Sequence, residues 1–392
     1  MVLLTSTVAG LDFSTLPQQL VNGVLIGSIY ALIALGYTMV YGVLRLINFA
    51  HGEVFMLGAY TALFTSWGLG FTPEAMKAGQ SPQASILNLV IMLLVSMTVC
   101  AIVGVAIEFF AYRPMRNQSR VAALITAIGV SLLLQYGGQL FFPNIQQNIQ
   151  QSVIPFQGAL EIPLVPVSKE LKAELATART TEKEAQGKLD VFLKSGASEF
   201  NLPPDGQEAK KVRDDAKEKI NELNTKINQT SSTLAIPYGK LTMLISAIGI
   251  MMVLWFVVMK TKVGRSMRAV SHDFDSASLM GVNVNWVITA TFAIGSALAG
   301  AGAMMNATFE GTGISPFYGV QPGVKAFVAA VLGGIGNIRG AVLGGLLMGV
   351  AETMVVWAGF SNFKDAIAFV ILIVVLLFKP SGLLGSAKVE KV

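Results

Sequence analysis

QQLVNGVLIGSIYALIALGYTMVYGV, residues Gln18–Val43, runs for 26 residues without a charged side chain. A helix crosses the hydrocarbon of a bilayer in about 20 apolar residues. The run therefore reads as a membrane span. Eight more segments share its character: His51–Leu69, Ala84–Ala111, Val121–Phe142, Gly239–Met259, Trp286–Phe309, Val324–Ile338, Gly340–Ala358 and Asp365–Phe378. Val324–Ile338 and Asp365–Phe378 are short. The former has the length of a re-entrant or broken segment, a form tolerated only where protein or a water-filled cavity covers the backbone. The expected fold class is all-α, a polytopic membrane helix bundle of about nine spans.

Between spans four and five the character of the chain changes. Of 28 basic and 23 acidic residues in 392, 24 charged ones fall within Ser168–Thr233, twelve of each sign. The net charge of +5 therefore belongs to the apolar remainder. It marks loops beside membrane spans, not a nucleic-acid surface. Three parts follow: residues 1–143 with spans one to four, an insert at 144–238, and residues 239–392 with spans five to nine. Within the insert, apolar residues recur as Leu171, Leu175, Ala178, Ala185, Leu189 and Phe192. After Pro203-Pro204-Asp205-Gly206 they resume as Ala209, Val212, Ala216, Ile220, Leu223 and Ile227. Three- and four-residue steps predict two amphipathic helices, here a coiled-coil-like hairpin about a turn at Pro203–Gly206.

Basic residues set the sidedness. Arg45, then Arg113, Arg116 and Arg120, then Lys260, Lys262, Arg265 and Arg268, then Arg339, then Lys379, Lys388 and Lys391 occupy alternate loops. Lys77, Lys240, Lys325 and Lys364 stand singly on the other side. Lysine and arginine stay cytoplasmic, so the N-terminus and the insert are expected outside and the C-terminus inside.

Catalysis has no constellation here. His51 and His272 lack ligand spacing, and Cys100 is alone, so neither a metal nor a disulfide framework is expected. No P-loop occurs, so the chain itself has no ATPase site and needs no cofactor. Ionisable residues inside spans are costly and tend to be functional. Interfacial solvation is the plain reading of His51, Glu108 and Glu310. Glu53 and Glu352 lie further along their spans and are stronger candidates for a translocation pathway or for pairing within the bundle. Asn48 and Asn337 each precede a glycine-containing span on the expected inner side, as in a weak internal repeat. With His51 and the two glutamates they complete the pathway candidates.

Gly23-x-x-x-Gly27, Gly340-x-x-x-Gly344 and Gly345-x-x-x-Gly349 predict close helix packing. Gly333-Gly334-Ile335-Gly336-Asn337 predicts a bend whose backbone lines a cavity. After span five comes Lys260–Val282, a cytoplasmic segment long enough for a short helix. Asp273 or Asp275 is placed to cap it and Gly281 to stop it after Met280. Such a helix could transmit force from a soluble subunit.

Two stretches now carry a resemblance. Asn22–Leu32 followed by Arg45-Leu46-Ile47-Asn48-Phe49-Ala50-His51-Gly52-Glu53 resembles the N-terminal signature of LivH-type permeases of branched-chain amino acid ABC importers. Phe327–Asn337 is similar to that family's C-terminal signature. Together the matching parts cover about 300 residues, all but the outer insert. The resemblance implies a bacterial inner-membrane permease subunit. It also implies a LivM-like second permease, two cytoplasmic ATP-binding subunits and an extracytoplasmic solute-binding protein. On it, Asp275-Ser276-Ala277-x-x-x-Gly281, flanked by Arg265 and Arg268, resembles the coupling motif of ABC importers, Glu-Ala-Ala, three residues, then Gly. Related permeases carry urea, short amides and other neutral amino acids; Gly36–Gly42 favours the amino-acid branch, so the expected solute is a branched-chain or other neutral amino acid. The insert departs from the family's usual short loop. From the residues alone, a membrane scaffold recruiting a partner through that hairpin is the alternative of a different class.

Overall fold

The structure, a computed structural model, describes residues 13–116, 118–165, 168–194, 203–230 and 232–385. Lys388, Lys391 and the segment joining the insert's two helices lie outside them. In chain order the helices are α1 (Leu16–Leu44), α2 (His51–Gly68), α3 (Pro73–Lys77), α4 (Ile86–Ile107), α5 (Arg113–Met115), α6 (Arg120–Phe141), α7 (Lys169–Lys194) and α8 (Pro204–Thr230). There follow α9 (Tyr238–Lys260), α10 (Lys262–His272), α11 (Phe274–Leu279), α12 (Val284–Phe309), α13 (Val320–Gly333), α14 (Ile338–Trp357) and α15 (Ala366–Phe378).

All nine apolar segments are helical. Among the described residues, six helices are long and apolar enough to cross a membrane: Phe13–Leu44, Ile86–Met115, Val121–Phe141, Tyr238–Lys260, Val284–Phe309 and Ile338–Trp357. Helices α2, α13 and α15 have 18, 14 and 13 residues. At 1.5 Å per residue they rise about 27, 21 and 20 Å, short of the roughly 30 Å hydrocarbon thickness. Val324–Ile338 is thus an earlier, shorter helix ending at Gly333. The turn that follows hands the chain to α14.

The chain divides into two compact units. In the larger, residues 13–158 and 237–385, α1 is buried around its whole circumference from Gly27 to Val40. An apolar helix without a polar face is stable only when surrounded. It packs on α14, α12 and α13. Helices α4, α6, α9 and α15 are apolar yet expose Leu94, Ile125, Val253 and Leu377. That is the pattern of lipid-facing helices.

Glycines permit the tightest crossing. A Cβ on Gly27 of α1 would lie 2.8 Å from Leu346 Cα of α14, and one on Gly23 would lie 2.6 Å from Val350 Cα. From the other side, Gly349 faces the backbone of Gly23 and Gly27, and Gly345 faces Ala31. Gly340 and Gly344 fit against Gly333 and Ala329 of α13. All three glycine pairs therefore serve packing, as their spacing predicts. Gly349→Ala is expected to destabilise the purified chain by about 1–3 kcal/mol, because backbone must move. Gly187→Ala on α7, where an added methyl meets nothing within 4 Å, is expected to be neutral or slightly stabilising. Thermal unfolding midpoints of both variants check this.

The smaller unit, 159–236, holds the hairpin of α7 and α8. Ala178, Ala185 and Leu189 face Ala209, Ala216 and Leu223 in the buried seam. Val212 falls outside it and is exposed, because the seam steps a full heptad from Ala209 to Ala216. Pro203–Gly206 is not the turn. Pro204 opens α8 and Gln207 N–H donates to Pro203 O at 2.9 Å. Proline suits a first helical turn, where its missing N–H costs nothing. A two-stranded sheet of β1 (Ala159–Val165) and β2 (Ser232–Pro237) brackets the hairpin. Both strands are edges, which is why Pro163 is tolerated in one of them.

Candidate functional site

The segment after α9 folds as two short helices. Thr261 Oγ1 caps α10 by accepting from Gly264 N–H at 3.2 Å. Gly264 sits against the carbonyls of Val257 and Val258, where a side chain would not fit. Arg268 donates its guanidinium to Val258 O, tying α10 back to the end of α9. Asp273 caps α11, its carboxylate accepting from Ser276 N–H at 2.8 Å. Gly281, at φ +81°, ends it. Gly281 N–H donates to Ser278 O and Val282 N–H to Ala277 O, the paired bonds that close a helix on a left-handed residue. Ala277 is buried, while Asp275 and Ser276 are exposed. Leu279 and Met280 are 89% and 85% exposed. No other large apolar side chain among the described residues is as exposed as these two.

The hydrogen bond donated by Ser276 N–H in this cap holds Asp273 below the usual carboxylate range. A depressed value means that this stabilisation is present above the unfolded pKa of about 4 and fades as pH falls through the folded value. Exchange of the Ser276 amide, corrected for its intrinsic pH dependence, is expected to stay protected above about pH 4 and lose protection below it.

The pathway candidates do not converge on one space. Asn48 Oδ1 accepts from Tyr112 O–H at 3.0 Å, just ahead of α2. His51 is buried edge-on to Tyr37, with ring centroids 4.5 Å apart, against the backbone of Gly36. Glu53 is buried and accepts from Ser131 Oγ of α6 at 2.9 Å. Glu352 lies across the bundle on α14. Its Oε2 accepts from Tyr30 O–H at 2.7 Å, and its Oε1 meets Lys325 Nζ at 2.7 Å. Lys325 also meets Asp365 Oδ1 at 2.6 Å. Asn337 caps α14, accepting from Arg339 and Gly340 N–H, and donates to Leu384 O at 2.7 Å. Asn48 and Asn337 thus do different work despite their similar settings.

Interfacial solvation does not describe His51 or Glu108. Glu108 is completely buried in a π-helical turn after α4, paired with Arg113 at 3.1 Å and with Arg116. Thr289 Oγ1 of α12 donates at 2.8 Å to Glu108 Oε2, the oxygen that Arg113 also meets. Glu310 is paired with Lys240 at 2.8 Å. Lys325 is the residue sequence reasoning missed. It reads as a loop lysine, yet it is buried in α13. Its place one residue inside an apolar run was the available signal.

A cavity of about 1010 Å³ opens among the end of α1, α9, α10 and the α13–α14 turn. Arg45, Arg268, Arg339 and Asn337 line it together with Gly336, which adopts φ +91°. The predicted bend at Gly333–Asn337 is therefore a helix–helix turn on a cavity wall.

The family described as "Branched-chain amino acid transport system / permease component" matches residues 19–376. The high-affinity branched-chain amino acid transport system permease protein BraD of Pseudomonas aeruginosa is 36% identical over 380 residues, covering 96% of this chain and 97% of that protein. The corresponding permease protein LivH is 35% identical over 377 residues in Salmonella typhimurium and 34% over 382 residues in Escherichia coli, at the same coverage. No solved structure matches the chain.

Proposed function

Since this chain belongs to the branched-chain amino acid transport system permease family, we propose that it is a transmembrane subunit of an ABC importer for branched-chain amino acids, driven by ATP hydrolysis in partner subunits. One observation carries the mechanism: a short helix, capped by Asp273 and stopped by Gly281, ends in the exposed Leu279 and Met280. A compact apolar tip on a cytoplasmic helix is suited to an apolar groove on an ATP-binding subunit. Arg268, bonded to the end of α9, passes movement of that tip to a long apolar helix. Two ATP-binding subunits, a LivM-like permease and an extracytoplasmic binding protein complete the proposed assembly. Alternating access would then present the bound solute first outside and then inside.

The proposed sidedness puts the N-terminus and the hairpin outside and the C-terminus inside, with nine crossings or re-entries. It is supported by Arg45, Arg268 and Arg339, three residues from separate segments at the ends of apolar helices, which meet in one cavity, as basic residues kept on one side should. Of the pathway candidates, Asn48, His51 and Glu53 cluster around the start of α2 and remain our choice for the route. Glu352 is assigned instead to holding the bundle together. Membrane vesicles lacking only this subunit are expected to lose ATP-dependent leucine uptake, which returns when the chain is restored. Undiminished uptake without it would overturn the reading.

A further inference from the structure

We propose that the cavity between α1, α9, α10 and the α13–α14 turn binds an anionic phospholipid of the cytoplasmic leaflet. The proposal rests on the sidedness given above. Among the described residues, three charged ones line the cavity, Arg45, Arg268 and Arg339, and no carboxylate does. Neither Arg45 nor Arg339 forms an ion pair among the described residues, and Arg268 commits a donor to Val258 O only. Unneutralised guanidinium groups in a concave site attract phosphate, which they can grip in bidentate fashion. Basic pockets between membrane helices on the cytoplasmic side suit the head groups of acidic lipids.

Backbone geometry points the same way. Arg45 is the one non-glycine with positive φ among the described residues, at φ 54° and ψ 26°. Such a conformation is uncommon for a long side chain and persists where surroundings over-determine it. Here it lies at the cavity rim, where the chain leaves α1.

The α9 side of the cavity selects a lipid over a free anion. Trp255 and Met259 of α9 line the cavity and are 42% and 37% exposed. They continue an apolar face of α9 that also exposes Met252 and Phe256. Inorganic phosphate has no use for that wall. A phospholipid places its head group among the arginines and its acyl chains along Trp255. The volume of about 1010 Å³ accommodates a head group with the first part of its chains, being at the upper end of ordinary ligand pockets.

The test uses the complete importer in phosphatidylcholine nanodiscs carrying a phosphatidylglycerol probe with a photoactivatable acyl chain. Labelled peptides are mapped by mass spectrometry. Label is expected on the α9 peptide containing Trp255 and Met259. It should fall about twenty-five-fold in the Arg45→Gln/Arg339→Gln double variant, at roughly fivefold per basic side chain near an anionic surface. Arg45→Lys/Arg339→Lys should keep most of the label, which separates lost charge from lost fold. Equal labelling by a phosphatidylcholine probe, or unchanged labelling of the double glutamine variant, would mean basic residues that mark sidedness only and would overturn the proposal. So would displacement of the probe by inorganic phosphate, which would make the ligand a free anion. Label that appears only after the ATP-binding subunits are stripped from the importer would show a protein contact in its place and would likewise overturn the proposal. The label is read without transport, so failed leucine uptake with intact labelling would refute the transport reading and leave the lipid site standing.

Discussion

Lys325→Met is expected to destabilise the membrane unit by about 3–5 kcal/mol, because it strands a buried carboxylate. Lys325 and Glu352 are 4% and 7% exposed, and their charged atoms lie 2.7 Å apart. The pair to Asp365 is as short, but that side chain is 40% exposed and screened by solvent, so it counts for less. After the substitution Glu352 keeps one hydrogen bond, from Tyr30, which cannot offset a bare charge there. Because the cluster joins α1, α13, α14 and the start of α15, its loss should loosen all four together. Adding Glu352→Gln to Lys325→Met should recover more than half of the loss, since a neutral amide can remain buried beside Tyr30. Denaturant titration of the purified chain in detergent reads both values. An unchanged midpoint for the single variant would mean that Glu352 finds another partner and that the cluster does not hold the bundle.

The double variant Leu279→Asp/Met280→Asp should behave in the opposite way. ATP-dependent uptake is expected to fall on the order of tenfold or more, while the unfolding midpoint stays where it was. The two side chains have few contacts within the chain, so folding does not need them. Against an apolar groove on a partner, two carboxylates would have to be desolvated unpaired. The ATPase rate stimulated by the loaded binding protein should fall in parallel with uptake. Retention of uptake within about twofold would place the contact elsewhere, since a central anchor of an interface carries more than that. Lys325 thus bears on whether the bundle stands, and Leu279 with Met280 on whether it is driven.

Much of this was legible along the chain because the physics is local. The cap at Asp273 and the stop at Gly281 depend on residues within eight positions of each other. The glycine pairs of α1 and α14 announced close packing, though not which helix each would meet. The Pro203–Gly206 segment misled for a local reason as well. Proline and glycine mark turns and helix starts alike, and only the backbone shows that Pro204 begins α8.

Sequence by itself determined that this is a membrane protein of many apolar helices, with a charged hairpin between them and without catalytic residues of its own. Hydrophobic length and charge distribution suffice for that, since bilayer thickness imposes a one-dimensional rule. Tertiary structure decided which charges are paired. Lys325 and Glu352 are 27 residues apart, and Tyr30 is 322 from Glu352. The partners of a buried charge are fixed by helix packing in three dimensions, which no periodicity encodes. The same packing gathers Arg45, Arg268 and Arg339 around one cavity and leaves Leu279 and Met280 standing clear of the bundle.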